Sequence, residues 1–363
     1  MIPLFKVTMS PNVTKKLKPV LESGYVGEGP QVKRFETLVA DNVGNPRVVA
    51  TNSGTAAITL ALRLAGVGHN DYVISTPMTC LATNMPILSL GAKILWADIN
   101  PKTGNIDPES VKELLDQFSV KAIMCVHWAG YPCDMQKLRK LKDDYHVPII
   151  EDAAHAFLSY YRNNPVGFFG DYVCFSFQAI KHLTTGDGGA LLLSNHDKYV
   201  EAKKMRWFYL DRDAGSSMRC YQDMYDWGYK FHMNDISATI GIENFSYVHG
   251  TMDASRSNAE KMRSAFKDLS TVELLDYEYH SVSSYWLFSM LVDDPDDFIA
   301  YMKSKDIESS RVHLPNHTKT VFSEFARPLP GVDSFASRQV CIPCGWWVNL
   351  ENLDHIIETV RSY

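Results

Sequence analysis

The stretch Pro148-Ile149-Ile150-Glu151-Asp152-Ala153-Ala154-His155-Ala156 reads as a short buried strand that ends in an acid and an imidazole. Working outward from this strand at 147–152, similar apolar runs occur at 72–75, 93–97, 122–126, 171–177 and 190–193. Amphipathic stretches at 108–118 and 134–145 separate several of them. This alternation predicts an α/β domain built on a mainly parallel sheet. Ligands of such sheets lie beyond the carboxyl ends of the strands. Asp152 closes one expected strand and the turn from Ser176 to Lys181 follows another, so the sheet brings them to one place.

Two further stretches bear on that place. Phe175-Ser176-Phe177-Gln178-Ala179-Ile180-Lys181 sets a lysine just past an apolar strand, ahead of Thr184-Thr185-Gly186-Asp187-Gly188-Gly189. Asn52-Ser53-Gly54-Thr55-Ala56-Ala57 opens an apolar helix. Free N–H groups and the helix dipole make such a start a phosphate site. Gly54, Thr55 and Ala56 are its expected contacts, Ser53 its N-cap, and Ser176 a further phosphate ligand. A phosphate-binding helix start, a strand-end carboxylate and a later lysine are the anchors that pyridoxal 5′-phosphate (PLP) needs.

Lys181 is the candidate catalytic residue. A neutral amine is required to attack the cofactor's carbonyl, so the site must depress the lysine pKa. Once displaced, the same amine serves as a general acid–base. Asp152 is expected to pair with the pyridine nitrogen and keep it protonated. His155 is expected near the cofactor's 3′-oxygen or ring face. Glu151 alternates to the other face of the strand. Taken singly, each of these residues has a plain alternative: a solvated lysine, a helix-capping aspartate, a core histidine. Their order and spacing favour the shared site.

The 363 residues are 45% hydrophobic, enough for one large domain and a smaller one. The 36 basic and 42 acidic residues leave a net charge of −6, which gives no electrostatic case for nucleic acid or an anionic membrane as partner. The start, Met1-Ile2-Pro3-Leu4-Phe5-Lys6, lacks the pattern of a signal peptide, and no window approaches the ~20 apolar residues of a membrane span. A cytoplasmic protein is the expectation. The seven cysteines are scattered and read as reduced thiols. Cys341-Ile342-Pro343-Cys344 has no second pair to complete a metal site and reads as structural.

A long helix is expected over 234–247, continuing through 252–269, with Gly250 as the point where it can break. The expected division follows: a large domain over 1–249 and a small α+β domain over 250–363. In the latter, strands are expected at 271–274, 285–292 and 339–343, and helices at 297–305 and 350–363. Tyr285-Trp286 reads as a packed strand. Arg206-Trp207-Phe208-Tyr209 and Gly345-Trp346-Trp347 read as core and interface packing. Arg212 and Arg311 are candidates for pyrophosphate or donor-carboxylate contacts, because the guanidinium fork suits such groups; surface ion pairs are the alternative.

The order and spacing of these anchors resemble those of the DegT/DnrJ/EryC1/StrS family of sugar aminotransferases, nearly end to end. Gly24-Tyr25-Val26-Gly27-Glu28-Gly29-Pro30 with Phe35-Glu36 is similar to the family's N-terminal signature. Glu151 to His155, Phe175 to Lys181 and Gly186-Asp187-Gly188-Gly189 are similar to its cofactor motifs. Trp227-Gly228-Tyr229-Lys230-Phe231-His232-Met233-Asn234-Asp235-Ile236 resembles the segment that reaches a partner's active site. His313-Leu314-Pro315-Asn316-His317 resembles a substrate-proximal motif.

The resemblance implies a type I (aspartate aminotransferase-like) PLP fold and a homodimer with shared sites. It implies ping-pong transfer of an amino group from L-glutamate or L-glutamine to a nucleotide-linked keto-sugar, usually a 4-keto-6-deoxy sugar, for surface polysaccharides or glycosides. His232, His313 and His317 fall at substrate-proximal positions. Three positions depart from the family pattern. Cys80, in Pro77-Met78-Thr79-Cys80, stands where an aromatic residue often stacks on the cofactor. Lys230 replaces the asparagine that reaches the partner's phosphate, and His232 an arginine. Two alternatives share the fold: a sugar 3-dehydratase, in which histidine replaces the lysine (His182 is adjacent here), and a catalytically silent scaffold.

Overall fold

The apolar runs pair into one seven-stranded sheet. The computed structural model describes residues 1–215, 218–277 and 280–363. Its strands lie in the spatial order Val48–Thr51, Gly189–Leu193, Tyr172–Ser176, Ile149–Asp152, Val120–Val126, Tyr72–Ser75 and Lys93–Trp96. All neighbouring pairs are parallel except those of Gly189–Leu193, which runs antiparallel to both of its neighbours. Parallel neighbours need crossover connections, which helices such as Gly54–Leu64, Pro108–Gln117 and Met135–Tyr145 supply. The one reversal comes from the connection 177–188, which turns straight back without a crossover.

Helix starts are fixed by side-chain caps. Ser53, Asp107, Asp134 and Asn234 each accept a hydrogen bond from the first turn of the helix that follows. Both faces of the sheet are covered, one by a core containing Leu60, Trp96 and Met124, another by a core containing Phe35, Phe175 and Phe177.

The C-terminal part carries an antiparallel sheet of Glu273–Leu274, Phe288–Leu291 and Gln339–Ile342, with helices Pro295–Ser304 and Leu350–Arg361. Phe266, Phe288, Phe298 and Ile356 fill its core, and Ile2 from the N-terminus joins them. A small sheet not foreseen in the sequence pairs Ser281–Val282 with Tyr160–Tyr161, tying the C-terminal part to the region after Asp152.

Helix Asp235–Phe266 is continuous through Gly250. Its first half gives Phe245, Val248 and Met252 to the large core, and its second half gives Ala259, Met262 and Phe266 to the C-terminal one. The division expected at 249/250 therefore falls inside a helix that serves both cores. Packing at either end holds the helix through a residue of low propensity.

A Cβ at Gly250 would meet nothing within 4 Å. Gly250→Ala should therefore stabilise the fold by about 0.5–1 kcal/mol, through the lost backbone freedom of the unfolded chain. Urea denaturation of the two proteins measures this.

Candidate active site

Three strands deliver the site to one edge of the sheet. Gly189 is in register with both Ser176 and Thr51, so the start of helix Gly54–Leu64 lies beside Ser176. The approach is close enough that a Cβ on Gly54 would stand 2.9 Å from the Ser176 Cβ. On the other side, Asp152 pairs with Cys174, which places the aspartate at the same edge. The connection from Phe177 then carries Lys181. It is held by Phe177 N–H to Gly188 O (2.8 Å), Thr185 N–H to Phe177 O (2.9 Å) and Lys181 N–H to Gln178 O (2.9 Å).

These groups line one cavity of about 410 Å³, within the range of small-molecule sites. Ser53, Gly54, Thr55 and Ser176 form one end. Asp152, Cys80, His155, Lys181, Trp286 and His313 also line the cavity. At the helix start, the Ala56 N–H goes to Ser53 Oγ (3.1 Å), so Ala56 serves the cap and does not line the cavity. The N–H groups of Gly54 and Thr55 belong to the orphan donors that open any helix.

Asp152 is buried and has no ion-pair partner among the described residues. Burial pushes its pKa up, opposed by the Thr83 hydroxyl that donates to Oδ2 (2.6 Å), the Ala154 N–H that donates to Oδ1 (3.1 Å) and the charge of Lys181. Lys181 shows the reverse effect: burial lowers its pKa to about 8, against the pull of Asp152 and Cys80. His155 is held well below the usual imidazole range by burial, then by the charges of Lys181 and His313. Burial likewise lowers His313 to about 4. Near neutral pH both imidazoles are uncharged.

This chemistry fits PLP. A buried carboxylate without a cation suits a protonated ring nitrogen, and a lysine near pKa 8 suits covalent attachment. Orphan N–H groups beside Ser176 suit a phosphate. His155 Nδ1 is buried without a partner, as the site for a further polar group of a ligand requires.

The remaining expected residues do not line this cavity. Lys230 is exposed, with Nζ 5.9 Å from the Trp207 ring. His232 packs edge-on to Trp207 at 4.3 Å. Arg311 pairs with Asp296 (3.2 Å) and Arg212 with Glu28 (3.2 Å). His317 Nδ1 is buried and unpartnered, while its neighbour Asn316 ties the His313–His317 segment down by donating to Thr79 O (2.7 Å) and accepting from Asn84 Nδ2 (2.9 Å). His182 Nε2 bonds Ser284 O (3.0 Å) and does not line the cavity, so it is not poised to stand in for Lys181.

Two residues of the site were not foreseen. Thr83 reaches Asp152 from helix Leu81–Ser89, with no local motif to announce it. Trp286, read as strand packing, stacks on His155 with ring centroids 3.8 Å apart and 13° between planes, and carries Lys181 Nζ 3.8 Å from its ring. No group of three or more His, Cys, Asp or Glu able to hold a metal occurs among the described residues, and no helix there is long and apolar enough to cross a membrane.

Fold and site together define a type I PLP-dependent enzyme of the aspartate aminotransferase-like class. The chain belongs to the DegT/DnrJ/EryC1/StrS aminotransferase family, whose model matches residues 8–361, and its enzyme class is that of the sugar aminotransferases. It is similar to AtS13 from Actinomadura melliaura (37% identity, TM-score 0.95, covering 100% of this chain and 99% of that one). It is similar as well to the sugar aminotransferase CalS13 from Micromonospora echinospora (35%, TM-score 0.95, 100% of both chains). GDP-perosamine synthase from Vibrio cholerae is 29% identical over 100% of this chain and 99% of its own length. Aminotransferases of the family are PLP-dependent, and solved neighbours include PLP and PMP forms.

Glu151, beside Asp152, points to the opposite face and is fully buried. Its Oε2 meets His127 Nε2 (2.9 Å), and Oε1 accepts the Gly170 N–H. Because His127 Nδ1 accepts the Cys133 N–H (3.1 Å), Nε2 carries the proton given to Glu151. Glu151→Ala orphans two buried donors at about 1–3 kcal/mol each. A loss of roughly 2–6 kcal/mol in guanidinium unfolding is expected.

Proposed function

We propose that this chain binds PLP in the 410 Å³ cavity and moves an amino group from L-glutamate or L-glutamine to a nucleotide-linked keto-sugar, a 4-keto-6-deoxy sugar being the favoured acceptor, by a ping-pong route. The observation that carries the reading is the convergence of Lys181, with its pKa lowered to about 8, on the cavity shared by Asp152 and the Gly54–Leu64 helix start. The sugar class draws on family membership and on relatives such as GDP-perosamine synthase.

When bound, PLP supplies an electron sink for the carbanion left by proton loss from the amino donor. The chain's own residues supply the rest. Asp152, oriented by Thr83 and the Ala154 N–H, would hold a proton on the ring nitrogen. Ser53, Gly54, Thr55 and Ser176 would hold the phosphate, and His155 Nδ1 a polar substituent of the ring. Lys181 Nζ, neutral in a large fraction near pH 8, would attach the cofactor and would then take and return the donor's α-proton. One lysine in one cavity serves donor and acceptor in turn, which supports ping-pong order. Lys181→Ala should remove more than the ~10²–10⁴-fold owed to acid–base catalysis alone, since covalent attachment goes with it. Multiple turnover by that variant, with mass-identified aminated sugar, would sink the assignment.

The reading includes a homodimer in which Lys230 reaches the partner's cofactor phosphate. Its exposure, and the exposed aromatics Tyr25, Tyr221, Tyr225 and Trp227, support a further surface to be covered. An ammonium acts on phosphate as a point charge. Lys230→Ala should loosen PLP and Lys230→Asn should partly restore it. PLP titration of both apo-variants, with sedimentation to give the oligomeric state, decides: wild-type dissociation constants in both remove Lys230 from the site.

A further inference from the structure

Trp286 touches the lysine machinery in three independent ways. Its ring lies 3.8 Å from Lys181 Nζ. Its Nε1–H donates to Ile180 O (2.9 Å), the carbonyl just before the lysine. Its indole stacks on His155 at 3.8 Å. The ring is itself held in place. Its backbone N–H donates to Ala129 O (2.9 Å), and the preceding Ser284 donates its hydroxyl to His155 O (2.6 Å). Gly130 permits that approach, since a Cβ there would stand 2.0 Å from Ser284 Oγ, and its φ is +98°. Phe5 closes the surroundings at 5.1 Å. Trp286 thus joins the C-terminal part of the chain to the turn that carries Lys181.

We propose that Trp286 is a positioning residue for Lys181: its indole roofs the lysine nitrogen against water, and its Nε1–H fixes the turn that presents the lysine to the cavity. The inference rests on the reading of Lys181 as the attachment point. A ring face attracts an ammonium, whereas ring bulk denies it water; the two act in opposite directions on the amine. The lysine's low pKa, with burial as its largest cause, places the roof ahead. The other titratable groups around the lysine are Asp152 and Cys80, which favour the charged form, and His155, His182 and His313, each uncharged near neutral pH. Asp187 lines the same cavity, and Lys6 the small cleft on the other side of Trp286. Of these, only His155 stacks on the indole, and it is uncharged near neutral pH.

The test follows covalent capture of PLP by full-length apo-protein across about pH 6 to 10, with borohydride fixation and the adduct at Lys181 read by mass. In the wild type the capture rate should rise with pH and level off near about 8. Trp286→Phe keeps the roof and should keep that inflection. Trp286→Ala opens it. Trp286→Gln offers an amide N–H that can replace the bond to Ile180 O, yet loses the ring and brings a polar group to the amine. Both should move the inflection up by one unit or more, leaving about tenfold less neutral amine at pH 7. Circular dichroism checks that each variant is folded, and the glutamine variant guards against loss of the alanine one. An inflection near 8 in the alanine and glutamine variants, or an equal shift in the phenylalanine variant, overturns the role of Trp286. No Lys181 adduct in the wild type overturns the cofactor reading itself, and the inference with it.

Discussion

Two consecutive buried acids at the end of one central strand are the constraint on which the rest of this structure depends. Burying a carboxyl group is costly unless hydrogen bonds or a charge compensate it. Strand alternation sends Glu151 and Asp152 to opposite faces, so each needs its own set of partners. Glu151 finds them in His127 and the Gly170 backbone. This set is closed within the chain. Asp152 has Thr83 and the Ala154 N–H but no cation of its own. That set is left open, and it is open toward the cavity. The two acids differ in that one is satisfied within the chain and the other is left to face the cavity.

Much of this was legible because it is local in sequence or fixed by strand register. All six expected strands of the large sheet appear, and the C-terminal edge assembles Asp152, Ser176, Lys181 and Gly54 as the α/β pattern requires. The edge strand Val48–Thr51 is not among the expected runs. Helix Leu81–Ser89 escapes the sequence pattern for a physical reason: it contains Pro86, buries the polar Thr83 and Asn84, and exposes the apolar Leu81 and Met85, so the usual polar and apolar faces are not marked. With the helix went Thr83, whose hydroxyl is a partner of Asp152. Gly250 was overweighted, because packing at both ends of a long helix outweighs one residue of poor propensity.

Trp286 was hidden differently. A Tyr-Trp pair at the head of an apolar run has a strand-packing reading, and Trp286 is indeed buried. Nothing in its neighbourhood along the chain marks it as a contact of Lys181. That contact exists because the small sheet of Ser281–Val282 with Tyr160–Tyr161 and the Ser159–Ser284–Gly130 hydrogen bonds dock the C-terminal segment onto the region after Asp152. His313 enters the cavity by similar docking, with the neighbouring Asn316 bound to the Thr79 loop. The cavity is therefore a joint product: the large sheet supplies the charged anchors, and the C-terminal segments supply the aromatic walls. This leaves room for Cys80 at a position where an aromatic residue is the more usual choice, because aromatic surface already reaches the cavity from elsewhere.

The charge inventory of the cavity carries the last step. Among the described residues lining it, the basic side chains are Lys181, His155 and His313. Both imidazoles are uncharged near neutral pH, since burial drives each well below its ordinary value. Lys181 is half neutral at about pH 8. At the phosphate end the subunit thus offers only hydroxyls, orphan N–H groups and a helix dipole. A helix terminus contributes typically about 0.3–1 kcal/mol toward an anion, and ~2 in favourable buried geometry. That is modest for a dianionic phosphate. A dianionic ligand there calls for a cation, and among the described residues lining the cavity none beyond Lys181 is available to supply one.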